Sequence, residues 1–440
     1  MAATSMGASH LVIGPRAGML YGSALLWLVL VVHVLKYPAF EHGPRYALAT
    51  GRSLVEGYGR VPGPRNWAVW CFILFTVVQG VAVAVAVTSV AASALSVAVG
   101  VLPLAAWGVV LATLVVCLLW LGRFPAMEAA NKVMMVVLVA VTVTTFLSSP
   151  PPAGSWMNIF NPRLPEGSVV LAAAIVGWLP TGLDVSIWHS LWALEVEPRW
   201  KDQGPADGRE GGEGAAKDSK SGLRRLRRGL LDMRVGYGAS LVLAVIFMFL
   251  GTQVPEVLGR EAEGAETALW ISKAYSHILG PWIVPVFMTA AFVGMFATAY
   301  IVMDGFPRAF AEGLRVALRT DRGDCKNVSE GGEDSGVPKE RSDGKFFRNV
   351  YWIALLFVWA LTCFIHIVWP RPVFLAITGA LLGLGVSPLY YALNHYCVGR
   401  HIKEDCYRPN TAVVWVSRLG IVFVTMALAV WCWVQFFAER

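Results

Sequence analysis

Charged residues are scarce in this chain, since only 15% of its 440 residues are Asp, Glu, Lys or Arg. An average soluble domain has about 25%. The seven cysteines are scattered and suggest no disulfide framework. No nucleophile–base pair or phosphate-binding glycine loop can be placed, so an enzyme is the least favoured class. Apolar residues make up 56% of the chain and the mean hydropathy is +0.58. This composition predicts an integral membrane protein.

Ten apolar runs follow one another along the chain, and Met1–Met19 is a shorter, interrupted eleventh. We interpret each run as a transmembrane helix, so the prediction is an all-α, multi-pass membrane protein with about eleven such helices in one domain over residues 1–440. The ten runs are Ser23–Val34, Val69–Val90, Val101–Leu121, Val133–Leu147, Val169–Leu194, Tyr237–Leu250, Trp282–Met303, Tyr351–Trp369, Pro372–Leu393 and Val413–Phe436.

The basic residues lie mostly on one side of the predicted membrane. With Met1–Met19 numbered first, 29 of the 36 Lys and Arg residues follow the even-numbered spans. By the positive-inside rule these loops are cytoplasmic, which puts the N-terminus inside and the C-terminus on the opposite side. The positive charge therefore indicates orientation in a lipid bilayer and not nucleic-acid binding. Two of these loops, 197–222 and 320–344, are polar and poor in aromatics, and are predicted to be disordered.

The sixth span, Val169–Leu194, is interrupted in its middle by Leu179-Pro180-Thr181-Gly182. Pro180 removes one backbone amide and Gly182 weakens the next turn, so backbone polar groups are left open near the bilayer midplane. No water is available there to satisfy them, and such a break persists only where it lines a cavity or a binding site. The interruption therefore points to a transporter.

Three segments resemble the Nramp (natural resistance-associated macrophage protein) family of metal-ion transporters, and in particular a divergent, Nramp-related branch. The first segment covers the first two helices, and the others lie at the sixth span and at the end of the eighth. The matching residues are Gly7–Leu11, Arg16–Gly18, Leu25–Trp27, Leu35–Ala47, Thr50–Leu54, Gly177–Ser186 and Met303–Ala309.

The resemblance implies a five-plus-five inverted repeat with one extra helix, of the amino-acid–polyamine–cation superfamily type. It also implies that the first and sixth helices are both discontinuous, with the transported ion between the two breaks. The usual first signature, Asp-Pro-Gly-Asn, is replaced by Gly7-Ala8-Ser9-His10, and the usual Met-Pro-His is replaced by Leu179-Pro180-Thr181. The usual carboxylate and thioether ligands are therefore missing, and only their positions carry over.

The residues present at these positions still offer a mixed nitrogen and oxygen ligand set. His10 and Asp184 are the predicted metal ligands, with hydroxyls from Ser9 and Thr181 and carbonyls from the unwound turns. Such a set suits a divalent ion such as Mn, Fe or, with waters retained, Mg. The predicted substrate- and ion-binding residues are Gly7, Ser9, His10, Leu179, Thr181 and Asp184.

Structural roles for these residues stay open as alternatives. His10 could bond an open carbonyl, Asp184 could cap the second half-helix, and Ser9 or Thr181 could satisfy backbone groups. Arg16 lies two turns beyond the first break, where a fixed cation would repel a divalent ion. It could pair with a carboxylate, or it could hold an anionic group of an organic substrate.

The sequence thus predicts a secondary active transporter of divalent cations that works by alternating access and needs no resident cofactor. Proton coupling through His10 or Asp184 is left open. The main alternative is a transporter of an amino acid or another small organic solute, because a half-helix N-terminus at Gly182 can also receive a carboxylate. A membrane scaffold that recruits partners is a third class, but it would have no need of a broken helix.

Overall fold

The computed structural model describes residue 7 and residues 9–122, 124–202, 214–253, 266–321 and 339–438. Within these ranges every regular element is helical. The first element is a short π-helix, Ser9–Ile13, which continues into α1. The α-helices are α1 Gly14–Tyr21, α2 Leu26–Thr50, α3 Leu54–Tyr58, α4 Trp67–Val99, α5 Leu104–Trp120, α6 Phe124–Ser148, α7 Ala153–Trp156, α8 Val169–Trp178, α9 Asp184–Asp202, α10 Gly214–Thr252, α11 Glu266–Leu279, α12 Ile283–Asp321, α13 Lys339–Val368, α14 Pro372–His401 and α15 Thr411–Trp433.

The number of membrane spans agrees with the prediction. Six helices (α4, α10, α12, α13, α14 and α15) contain segments that are long and apolar enough to cross a membrane, and α5, α8 and part of α6 are shorter apolar helices. Counting α8 and α9 as one discontinuous span, and adding α1 and α2, gives the predicted eleven. The short helices α3, α7 and α11 connect them. The all-α membrane fold is therefore confirmed.

The second span is longer than predicted. The apolar run Ser23–Val34 was expected to be the whole span, but α2 extends from Leu26 to Thr50. It ends at Gly51, whose left-handed φ of 65° lets its amide bond the carbonyl of Ala47. The prediction was wrong here because it treated the charged residues after Val34 as a cytoplasmic loop.

Those charged residues are buried inside α2, where each has partners. Glu41 is fully buried and accepts a 2.6 Å hydrogen bond from Arg45 Nη2. Arg45 also donates to the carbonyl of Tyr407, at 2.6 Å. Lys36 is fully buried as well, and its partners belong to the candidate site. Paired and hydrogen-bonded charges can be buried where lone ones cannot, which explains why the helix continues.

The described parts of the two predicted loops are helical. Residues 197–202 continue α9, 214–222 belong to α10, and 320–321 and 339–344 extend α12 and α13. Lys, Arg, Glu and Ala are good helix formers, so these helices run on beyond their apolar parts. Residues 203–213 and 322–338 lie outside the described residues.

Direct backbone contacts with α10 hold α1 in place. A Cβ added at Gly18 of α1 would lie 1.9 Å from the carbonyl oxygen of Met248 on α10. A Cβ added at Gly251 of α10 would lie 2.1 Å from the carbonyl oxygen of Pro15. The two backbones therefore touch, as small residues allow in membrane helix pairs. This crossing fixes α1 just beyond the π-helix.

Candidate functional site

The sixth helix is broken where the sequence predicted. Helix α8 ends at Trp178, Leu179 is extended with ψ of 133°, and α9 begins at Asp184. The Leu179–Pro180 peptide bond is cis. Because the helix is interrupted here, the carbonyls of Leu179, Pro180 and Thr181 accept hydrogen bonds from other parts of the chain.

The ammonium group of Lys36 fills the ring of carbonyls at this break. Its Nζ lies within hydrogen-bonding distance of four carbonyl oxygens, those of Val176 at 2.9 Å, Gly177 at 3.2 Å, Leu179 at 2.8 Å and Thr181 at 3.1 Å. The last carbonyls of α8 are also the negative end of that helix dipole, which favours a cation at this point. The positive charge at the break is thus supplied by the chain itself.

The first helix is irregular at the matching place. Residues Ser9–Ile13 form a π-helix, a local widening that often occurs at functional sites. Ser9 Oγ donates to the carbonyl of Pro180 at 3.2 Å, so the two irregular segments are joined directly. The half-helix expected before Gly7 lies outside the described residues.

His10 faces helix α10 and not the space between the two breaks. Its Nδ1 lies 3.1 Å from Ser9 Oγ, and its Nε2 lies 2.9 Å from Ser240 Oγ and 3.1 Å from the Ser240 carbonyl. The ring therefore links Ser9 of the π-helix to Ser240 of α10. A metal-ligand role for His10 stays a prediction, and it would require the ring to leave these bonds.

A cavity lies between the start of the first helix and the break in the sixth helix. Four of the predicted site residues line it, whereas Leu179, His10 and Arg16 do not. Leu179 is buried, and Arg16 is half-buried on α1. The lining residues are Gly7, Ser9, Val83, Val87, Trp178, Thr181, Gly182, Asp184, Val185, Trp188, Thr298, Ile301 and Val302.

Asp184 is the one ionisable side chain among the described residues that line this cavity. It is 5% exposed and lies in the first turn of α9, where the helix dipole favours a negative charge. It is attracted electrostatically to Lys36. Among the described residues, no group of three or more His, Cys, Asp or Glu side chains is arranged to hold a metal. Any cation in the cavity would therefore meet one carboxylate, hydroxyls and water.

Two contributors to the site were missed by the sequence reasoning. Lys36 was assigned to a loop, although an ionisable residue that follows directly on the apolar run Ser23–Val34 is itself a functional signal. Thr298 of α12 lines the cavity with Ile301 and Val302. Their spacing places all three on one helical face, but the surrounding sequence is apolar on every side, so the pattern alone did not single out that face.

The all-helical fold, with its interrupted sixth helix and its π-helix in the first, is that of multi-pass membrane proteins built on a five-plus-five inverted repeat. Within this class, the chain belongs to the Nramp family: it matches the family described as natural resistance-associated macrophage protein-like over residues 1–435. The resemblance inferred from the motifs is therefore confirmed.

Individual proteins resemble the chain in sequence or in fold. An uncharacterized protein of Pasteurella multocida, PM0681, is 24% identical over 434 residues, covering 97% of this chain and 88% of that protein. A manganese transporter of Eremococcus coleocola is similar in structure, with a TM-score of 0.60 at 14% identity over 100% of this chain and 86% of that one. The protein MhsT, solved in complex with L-phenylalanine, has a TM-score of 0.52 at 10% identity over 97% of both chains. At these identities the structural matches establish the fold alone.

Proposed function

We propose that the chain is a secondary transporter that carries a divalent cation through the cavity between the two irregular helices by alternating access. Membership of the Nramp family supports a metal ion as substrate. The single observation that carries the proposal is that Asp184 lines a cavity between the start of the first helix and the break in the sixth helix.

The ligands available favour a hard, partly hydrated ion. Asp184 supplies a carboxylate, and Ser9, Thr181 and Thr298 bring hydroxyls to the same cavity. Mg²⁺ and Mn²⁺ accept oxygen ligands, and Mg²⁺ in particular keeps several of its waters when it binds protein. With one carboxylate, the site is expected to bind such an ion weakly and release it readily.

His10 is proposed to act on this site through Ser9. Its ring holds the Ser9 hydroxyl, which in turn bonds the carbonyl of Pro180. Loss of the ring would loosen the link between the two breaks. Proton coupling, if the transporter uses it, would involve Asp184, because it is the ionisable group that faces the cavity.

The test is uptake of Mn²⁺ and Mg²⁺ into proteoliposomes by an Asp184→Asn variant. We expect at least a tenfold loss of uptake, because the carboxylate supplies the negative charge at the cavity. Asp405→Asn is the matched control: Asp405 lies on an exposed turn and is 90% exposed, so uptake should be unchanged. Wild-type uptake by Asp184→Asn would remove the proposed site.

A small organic solute is the second candidate, and the composition of the cavity favours it. The cavity is lined mainly by Val, Ile and Trp side chains with a few polar groups, which is typical of sites for small organic molecules. Competition by a panel of amino acids and amines against Mn²⁺ uptake distinguishes the two candidates. Arg16→Gln, in the same assay, tests the predicted role of Arg16 in binding an anionic group.

A further inference from the structure

The surroundings of Lys36 have the form of a cation-binding site. Four carbonyl oxygens lie 2.8–3.2 Å from Nζ, and they come from both sides of the break, from residues 176 and 177 of α8 and from residues 179 and 181 beyond it. An ammonium has three hydrogens, so four acceptors surround it as a shell and do not each receive a separate bond. Carbonyls at an unwound half-helix end are groups that bind monovalent cations in transporters.

We propose that Lys36 is a tethered cation that permanently fills this carbonyl site, so the chain requires no monovalent ion there. The inference rests on the proposed transport function, but the melting experiment that tests it does not. The ammonium reaches the break from α2, whose charged residues the fold buries, and it is 0% exposed. A free ion therefore has no room beside it.

A charge is required at this position for two reasons. A neutral side chain would leave four buried carbonyl oxygens without donors, and unpaired buried acceptors are strongly unfavourable. The end of α8 and the Asp184 carboxylate both contribute negative potential toward the same point. Removal of the ammonium should therefore create a vacant site with a preference for a small monovalent cation.

Two substitutions separate a tethered cation from a residue that only packs. Lys36→Ala removes the charge and opens space for an ion. Lys36→Met removes the charge but keeps most of the side-chain volume, so an ion still cannot enter. Lys345→Ala is the control for loss of one positive charge, because Lys345 is exposed on α13.

The measurement is the apparent melting temperature of each purified protein, without substrate, in NaCl, KCl, NH₄Cl or N-methyl-D-glucamine chloride at equal ionic strength. We expect Lys36→Ala to melt below wild type in N-methyl-D-glucamine and to regain part of the loss, saturably, in at least one of the other three salts. Lys36→Met should stay low in every salt, and wild type and Lys345→Ala should not respond. Equal behaviour of Lys36→Ala and Lys36→Met across the salts would overturn the proposal.

A second measurement keeps the proposal testable if the Lys36 variants do not fold. Uptake of Mn²⁺ into proteoliposomes by the wild-type protein should change less than twofold when Na⁺ and K⁺ are replaced by N-methyl-D-glucamine. A tenfold loss would show that the chain needs a monovalent ion and would refute the proposal. Because the melting experiment contains no transported substrate, its outcome is independent of whether the cation-transport proposal holds.

Discussion

Gly177, in the last turn of α8, is the residue through which this half-helix touches α14. A Cβ built on Gly177 would lie 2.0 Å from the carbonyl oxygen and 2.9 Å from the carbonyl carbon of Ala380. Non-bonded heavy atoms pack best at roughly 3.5 Å. In Gly177→Ala, α8 and α14 would therefore have to separate locally by about 1.5 Å. The clash is with backbone atoms, which cannot move out of the way by a side-chain rotation.

The loss of stability in Gly177→Ala can be estimated. Inserting one carbon into a well-packed core destabilises by about 1–3 kcal/mol, and a backbone clash belongs at the upper end. With an unfolding entropy of roughly 2.1 cal/mol/K per residue, a loss of about 3 kcal/mol lowers the melting temperature of a chain of 440 residues by roughly 3 °C. The shift of α8 would also displace the Gly177 carbonyl, which lies 3.2 Å from Lys36 Nζ.

The assay is melting followed by fluorescence-detected gel filtration, together with Mn²⁺ uptake in proteoliposomes. Gly385→Ala is the matched control, because Gly385 lies on the same helix α14 and its added Cβ would meet nothing within 4 Å. We expect a lower melting temperature and reduced uptake for Gly177→Ala, and no loss of stability for Gly385→Ala. Equal stability and equal uptake of the two variants would refute the argument that α8 is held by direct backbone contact.

Two further predictions concern buried polar groups. His10→Ala should cost about 1–3 kcal/mol of stability, because the bonds to Ser240 and Ser9 are lost. The apparent KM for Mn²⁺ should change less than threefold. A tenfold rise in KM at unchanged stability would instead show that His10 binds the ion directly. Glu41→Gln removes the charge that pairs with buried Arg45 at 2.6 Å and should cost about 3–5 kcal/mol, measured as loss of melting temperature. The comparison is Asp405→Asn, which breaks the exposed ion pair between Asp405 and Arg408 and should cost under about 1 kcal/mol. A similar loss of melting temperature for both substitutions would contradict the prediction.

The sequence predicted those parts of the fold that depend on local chemistry. A proline and a glycine inside a long apolar run locate the break at Pro180 because each weakens the helix regardless of what surrounds it. The basic loops and the apolar runs likewise gave the number of spans. The end of α2 could not be predicted in this way, because burial of Glu41 and Lys36 depends on partners that lie 193 and 140 residues away in sequence, Arg234 and Val176.

In the candidate site, too, the sequence predicted the local features but not the contacts between distant residues. The residues at the two breaks were identified, and Ser9, Thr181 and Asp184 do line one cavity. The direction of the His10 ring depends on Ser240, 230 residues away, and the filling of the carbonyl ring depends on a lysine 140 residues before it. No local pattern encodes either contact, so only the assembled helices reveal them.

The lysine side chain also constrains how the molecule can move. Helix α2 and the end of α8 are joined through one nitrogen that four oxygens share, near the midpoint of the sixth span. If the halves of the protein rock past each other during a transport cycle, these two helices must either turn together or lose all four contacts in one step. The division between the moving part and the stationary part of the transporter is therefore expected to run around this joint and not through it.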